Sequence, residues 1–162
     1  MTRKEYNECV DQHADSIFRF VVKNLKDEEQ AKDVVQDVFT KLWVNVKDVN
    51  NDKVKSYLFT AAYHQTIDVV RKQKPSIDFS EQTSVYTEER YDLIDVQEIL
   101  KKAVDLLPAD QRSVILLRDF EGYSYQEIAE IIKLTESQVK VYLFRARKFM
   151  KNYLTKIELG VY

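Results

Sequence analysis

An all-α fold, built as two small helical domains joined by an acidic flexible linker, is what the sequence predicts, and three observations predict it. Among 162 residues there are only two glycines, Gly122 and Gly160, and two prolines, Pro75 and Pro108. Breakers this scarce, beside many Glu, Lys, Gln and Leu, favour helix. Apolar residues recur every three or four positions through most of the chain. Between residues 76 and 92 that rhythm stops, and a polar, acidic stretch rich in Ser and Thr intervenes. The expected division is therefore a first domain over 1–75, a linker over 76–92 and a second domain over 93–162.

The elements follow in order. Residues 3–25 place Val10, Ile17, Phe20, Val21 and Leu25 on one stripe, and Thr2 with Glu5 has the spacing of a capping box. Asp27 with Gln30 offers a similar start for a second helix, "EEQAKDVVQDVFTKLWVNV", whose stripe is Ala31, Val34, Val35, Val38, Leu42 and Val46, with Phe39 and Trp43 beside it. "KDVNND" interrupts, and a third helix is expected from about 53 to 74, ended by Pro75. Beyond the linker, "LIDVQEILKKAVDLL" turns Ile94, Ile99, Val104 and Leu107 inward. Pro108 opens the next helix where its missing N–H does no harm, and Gly122 supplies the turn after "ADQRSVILLRDF".

Composition narrows the function classes. A 44% apolar share suffices for a folded core, and 32% charged residues suit a soluble protein. The single cysteine, Cys9, rules out an internal disulfide framework and fits a reducing compartment. The N-terminus has no apolar stretch of signal-peptide length, and no window approaches a membrane span, so a cytoplasmic protein without direct membrane insertion is expected. Two glycines cannot build a P-loop or a GxGxxG loop. Cys9 and His13 lie one helical turn apart, but two ligands do not make a zinc site. No enzyme, metal or cofactor is expected.

Charge is patterned. Residues 53–75 hold five Lys and Arg against one Asp, and 133–156 hold seven against one Glu. Residues 76–98 hold seven acids against one Arg. The formal charge of -2 thus conceals two basic blocks with an acidic one between them.

The second basic block coincides with the most specific local pattern. In "YSYQEIAEIIKLTESQVKVYLFRARKFM", Ser124 with Glu127 and Thr135 with Gln138 each match a capping box. They place helices at about 125–132 and 136–154 with only "KLT" between them, the spacing of a helix-turn-helix. Ile128, Ala129 and Ile132 face inward from the first helix; Val139, Tyr142 or Leu143, and Ala146 do so from the second. Ser137, Gln138, Lys140, Val141, Phe144, Arg145 and Lys148 then point outward. In the DNA-binding form of this motif the second helix enters the major groove, where Arg and Lys meet guanine or phosphate and Gln meets adenine. A solvated basic helix is the plainer alternative on pattern alone. Position 133 is expected to end its helix with φ > 0, where Gly is favoured, yet the chain has Lys133.

"LLPADQRSVILLRDFEGYSYQEIAEIIKLTESQVKVYLFRARKFMK" closely resembles region 4 of extracytoplasmic-function (ECF) sigma factors, the domain that binds the promoter −35 element. "AKDVVQDVFTKLW" and "VKSYLFTAAYHQTIDVVRKQK" resemble region 2 of the same family. Together the two halves cover nearly the whole chain in the family's order. The resemblance implies a sigma factor that binds core RNA polymerase through its clamp helices and flap, directs it to specific promoters and promotes DNA melting. An anti-sigma factor is a further implied partner.

By the same resemblance, Asp33, Gln36, Asp37, Thr40 and Lys41 would dock on the polymerase, and Asn50, Asn51, Asp52, Tyr57, Tyr63, His64, Arg71 and Lys72 would engage the −10 element. The chemistry is apt, since aromatic and cationic side chains capture unstacked bases and Asn or Asp can hydrogen-bond a flipped one. Asn and Asp are also ordinary loop residues, and a charged helix face is ordinarily a solvated one. Where the family commonly has a basic residue and an amide, this chain has Ala62-Tyr63-His64. The acidic linker would thread the polymerase cleft in the family or serve as a passive tether. A two-domain regulator with only a C-terminal helix-turn-helix would leave Val34–Trp43 and Tyr57–Lys74 unexplained.

Overall fold

The structure, a computed structural model, describes residues 1–73 and 96–158. The linker expected at 76–92, together with Pro75 and Ile94, lies outside the described residues. The described residues form helices α1 (Arg3–Leu25), α2 (Glu28–Val44), α3 (Val54–Gln73), α4 (Val96–Leu106), α5 (Ala109–Ile115), α6 (Tyr125–Ile132) and α7 (Glu136–Glu158). A 3₁₀ turn, Asn51–Lys53, leads into α3, and a π-helical stretch, Leu116–Phe120, extends α5.

Side-chain caps start four helices where the sequence puts them. Thr2 and Glu5 close a reciprocal box at α1. Asp27 Oδ1 accepts from the backbone N–H groups of Glu29 and Gln30 at α2, and Ser124 Oγ accepts from Glu127 N–H at α6. Thr135 and Gln138 form the second reciprocal box, at 3.1 and 2.9 Å, at the head of α7. Each satisfies N–H groups that a helix start otherwise leaves bare.

The first three helices pack as a small bundle around Ile17, Phe20, Val21, Val38, Leu42, Leu58 and Phe59. In the second half, α4, α5 and α6 surround the buried face of α7, where Val139, Leu143 and Ala146 meet Ile115, Leu117, Ile128 and Ile131. Of Tyr142 and Leu143, it is Leu143 that faces inward; Tyr142 is half-buried. Arg112 is nearly buried, and its guanidinium donates to the carbonyls of Val104, Asp105 and Leu107 at 3.3, 3.3 and 2.8 Å. It thereby closes the C-terminal end of α4, where a cation is favoured.

The two halves share one core. Phe59 sits between Phe20 and Tyr123 in edge-to-face contacts, each with 5.5 Å between ring centres, so that the aromatic row crosses from α1 and α3 to the loop before α6.

Candidate nucleic-acid interface

The turn between α6 and α7 is made by Lys133, Leu134 and Thr135. Lys133 takes the left-handed conformation the sequence calls for, with φ 56° and ψ 47°. Leu134 N–H then donates to Ala129 C=O at 3.1 Å, and the chain reverses into the Thr135 cap. All seven residues expected to face outward on α7 are exposed, Phe144 by 68% and Val141 by 45%. Buried apolar partners hold the opposite face, so the row Ser137, Lys140, Val141, Phe144, Lys148 is presented by a fixed rod. Gln138 spends its side-chain oxygen on the Thr135 N–H, which leaves its amide N–H₂ to donate.

Beside this row runs a groove of about 510 Å³ lined by Tyr125, Lys140, Leu143, Phe144, Arg147, Lys148 and Lys151. Tyr125 has two cations near its ring, Arg118 at 4.5 Å and Lys140 at 5.5 Å. Tyr125 and Lys151 are members of the surface that sequence reasoning missed. Lys151 had a signal, standing three and seven positions after Lys148 and Phe144; Tyr125 is brought in from another helix and had none. Arg147 belongs to the basic run and lines the groove, but its guanidinium is engaged within the molecule. It pairs with Asp119 through two N–H groups, at 3.2 and 2.5 Å, and so ties α7 to the π-helical stretch. Asp119 holds its guanidinium more firmly protonated than usual.

The eight residues expected at the −10 element are divided among three places along α3, a helix roughly 30 Å long. Asn50, Asn51 and Asp52 are exposed at its head, where Asn50 Oδ1 caps the 3₁₀ turn by accepting from Asp52 N–H. Tyr57, half-buried, accepts from Asn45 Nδ2 at 3.3 Å. Arg71 and Lys72 are exposed at the far end. Tyr63 and His64, between them, turn toward the second half of the molecule. Tyr63 is only 8% exposed, and burial, with Asp110 nearby, pushes its phenol up to about 12. His64 has a buried Nε2 with no hydrogen-bond partner. Burial and the Lys133 charge lower its pKa, against a weaker opposing pull from Asp68.

On α2, Asp33, Gln36, Asp37, Thr40 and Lys41 are all exposed. Two are already engaged: Asp37 accepts from Gln65 Nε2 at 2.7 Å, and the Thr40 hydroxyl donates to the Gln36 carbonyl. Trp43, placed beside the apolar stripe by its spacing, is 48% exposed and meets Tyr6 edge-on at 4.9 Å. Cys9 is buried, and among the described residues no cluster of three or more His, Cys, Asp or Glu is arranged to hold a metal.

Comparison with known proteins matches both halves. The family model of Sigma-70 region 2 covers residues 9–75, and that of Sigma-70, region 4 covers residues 97–150. The chain is 32% identical over 157 residues to the RNA polymerase sigma factor SigV of Bacillus subtilis (strain 168), spanning 94% of this chain and 92% of that one. It is 27% identical over 152 residues to the ECF RNA polymerase sigma factor SigM of the same organism, spanning 90% and 92%. Among solved structures it resembles the sigma factor RpoE of Bartonella quintana, determined with the anti-sigma factor NepR, with a TM-score of 0.73, 25% identity and coverage of 94% and 98%. It also shares its fold with CnrH, determined with the cytosolic domain of CnrY, with a TM-score of 0.67, 23% identity and coverage of 95% and 90%.

Proposed function

The chain belongs to the sigma-70 family of RNA polymerase sigma factors, within its ECF group, and from that premise we propose that it binds core RNA polymerase, directs it to specific promoters and promotes melting at the start of transcription. In this reading residues 93–162 bind the −35 element as duplex. Residues 1–75 bind polymerase and the −10 element, and 76–92 connect them. Bond making belongs to the polymerase, and the protein itself is not an enzyme. It works in the cytoplasm, where its polymerase and promoter are. Among the described residues no helix is long and apolar enough to cross a membrane.

The observation that carries the −35 assignment is the outward row of α7, which sets Phe144 and Val141 among Lys140, Arg145 and Lys148. Exposed apolar groups among cations are costly as a mere solvated face, and they fit a groove offering phosphates at its rim and base edges and thymine methyls at its floor. For polymerase docking the support is the exposed set Asp33, Gln36, Asp37, Thr40 and Lys41 along one side of α2. Asn50, Asn51, Asp52, Tyr57, Arg71 and Lys72 are offered to the −10 strand as the molecule stands, and Tyr63 and His64 after a rearrangement. An anti-sigma factor is proposed as a regulator, in keeping with the complexes in which RpoE and CnrH were determined.

Run-off transcription with purified core polymerase and promoter-bearing genomic fragments tests the reading. Specific transcripts should appear only when the protein is added. Duplex binding without any association with core polymerase would instead mark a repressor-like protein.

A further inference from the structure

Lys140 stands in the outward row of α7, yet its ammonium has a partner that another helix supplies. It lies 5.5 Å from the centre of the ring of Tyr125, the first residue of α6. Glu136, one turn back on α7, has the spacing of an ion pair with Lys140. Among the described residues the ammonium is nonetheless paired with the ring and not with that carboxylate. The ring itself is anchored. Tyr125 is half-buried and packs against the core. The Arg118 guanidinium sits 4.5 Å from the ring centre, and Arg118 is fixed in turn by donating to the Tyr123 carbonyl at 2.8 Å. Two forces would otherwise draw Lys140 away. Arg147, Lys148 and Lys151 line the same groove and repel another cation. A lysine stem is also flexible, and freezing it on binding costs affinity. The negative face of an aromatic ring offsets both.

We propose that Tyr125 is a positioning residue for duplex recognition: its ring holds the Lys140 ammonium at the mouth of the groove beside the outward row, so that the cation meets a phosphate or a guanine edge already in place. The ring occupies one side of the ammonium, and N–H groups remain on the other sides to donate. Lys140 is exposed while so held, which leaves those donors open to a ligand. Tyr125 thus acts through Lys140 and needs no hydrogen bond from its own hydroxyl to the DNA. This role rests on the reading of α7 as the duplex-facing helix, and the test lets the two fail separately.

Two measurements on the full chain test it. In the free protein, NMR should find the Lys140 Cε protons moved upfield by the ring current. That shift should vanish in Tyr125→Leu and persist in Tyr125→Phe, which keeps the ring. Fluorescence anisotropy with a short mixed-sequence DNA duplex at low salt gives the second readout. Tyr125→Leu should bind about two- to fivefold more weakly than the wild type, the factor an exposed cation–π contact carries. Tyr125→Phe should recover most of that loss. In a Lys140→Ala background, Tyr125→Leu should cost nothing further. A merely structural role for Tyr125, such as support of the start of α6, would weaken binding by the same factor with or without Lys140.

Full additivity in the double variant would overturn the positioning role, as would Lys140 protons whose shift does not depend on Tyr125. If Lys140→Ala weakens duplex binding and Tyr125→Leu does not, the positioning role alone is lost. If Lys140→Ala binds the duplex as tightly as the wild type, the reading of α7 as the DNA face falls, and the role of Tyr125 falls with it.

Discussion

A turn of three residues between two capped helices demands a left-handed corner, and in this chain the corner falls on Lys133, where glycine would be at ease. The left-handed region costs a side-chain-bearing residue about 1 kcal/mol, and Lys133 in addition places its charge near His64, whose Nε2 is buried without a partner. Lys26, the other left-handed lysine, is different because its ammonium also donates to the Asp105 carbonyl of the second half. Lys133→Gly is therefore expected to stabilise the fold by about 1 kcal/mol, raising Tm by about 2–4 °C for a chain of this size. A thermal melt of the two proteins side by side checks this, and an equal or lower Tm would show that Lys133 makes a compensating interaction. The position was legible in the sequence; the second cost was not, because His64 is distant in sequence and meets Lys133 only through tertiary packing.

At the scale of elements, the capping residues and apolar stripes carried nearly all the information. The starts of α1, α2, α6 and α7 fall at Thr2, Asp27, Ser124 and Thr135, each with its hydrogen bond in place. Here the cause is local, a side-chain oxygen and an N–H two or three residues on. The segment expected as one helix over "ADQRSVILLRDF" is the exception. It is α-helical to Ile115 and π-helical over Leu116–Phe120, with Glu121 N–H reaching back to Leu116 C=O at 3.0 Å. Nothing local prefers a π turn. It is held from outside, by the buried Leu116 and Leu117, by Arg118 donating to Tyr123 C=O at 2.8 Å and by Arg147 on Asp119. For α7 the local cause dominates, and removing it has a calculable effect. Thr135→Ala deletes one half of the box at the head of α7 and frees Gln138, costing about 1 kcal/mol. Differential scanning calorimetry should show Tm lower by about 2–4 °C. A melt that does not move would mean that solvent or neighbouring side chains satisfy the first turn equally well.

The whole molecule answers how a chain of formal charge -2 can bind a polyanion. Its charge is segregated along the sequence, and folding preserves the segregation by turning Lys140, Arg145, Lys148 and Lys151 outward on one helix while Arg112 and Arg147 are spent on structure. That distinction among arginines could not be read from composition, since a basic run does not say which members find an internal acid. The shared core of the two halves was equally hidden. Each apolar stripe looked sufficient for its own domain, and tertiary contacts such as Phe59 on Tyr123 and Lys26 on the Asp105 carbonyl are what join the halves. A measurement on the whole chain follows from the outward cations. Each phosphate they neutralise contributes about 0.9 to the slope of log K against log salt. Arg145→Ala with Lys148→Ala should thus lower that slope by about two for duplex DNA, and weaken binding most at low salt. Arg147→Ala should leave the slope nearly unchanged and lower Tm instead, because its partner is Asp119. Fluorescence anisotropy titrations across a salt series, paired with thermal melts, distinguish these two signatures. An unchanged slope in the Arg145/Lys148 variant would place the duplex on another face, and a reduced slope for Arg147→Ala would mean that its ion pair opens when DNA arrives.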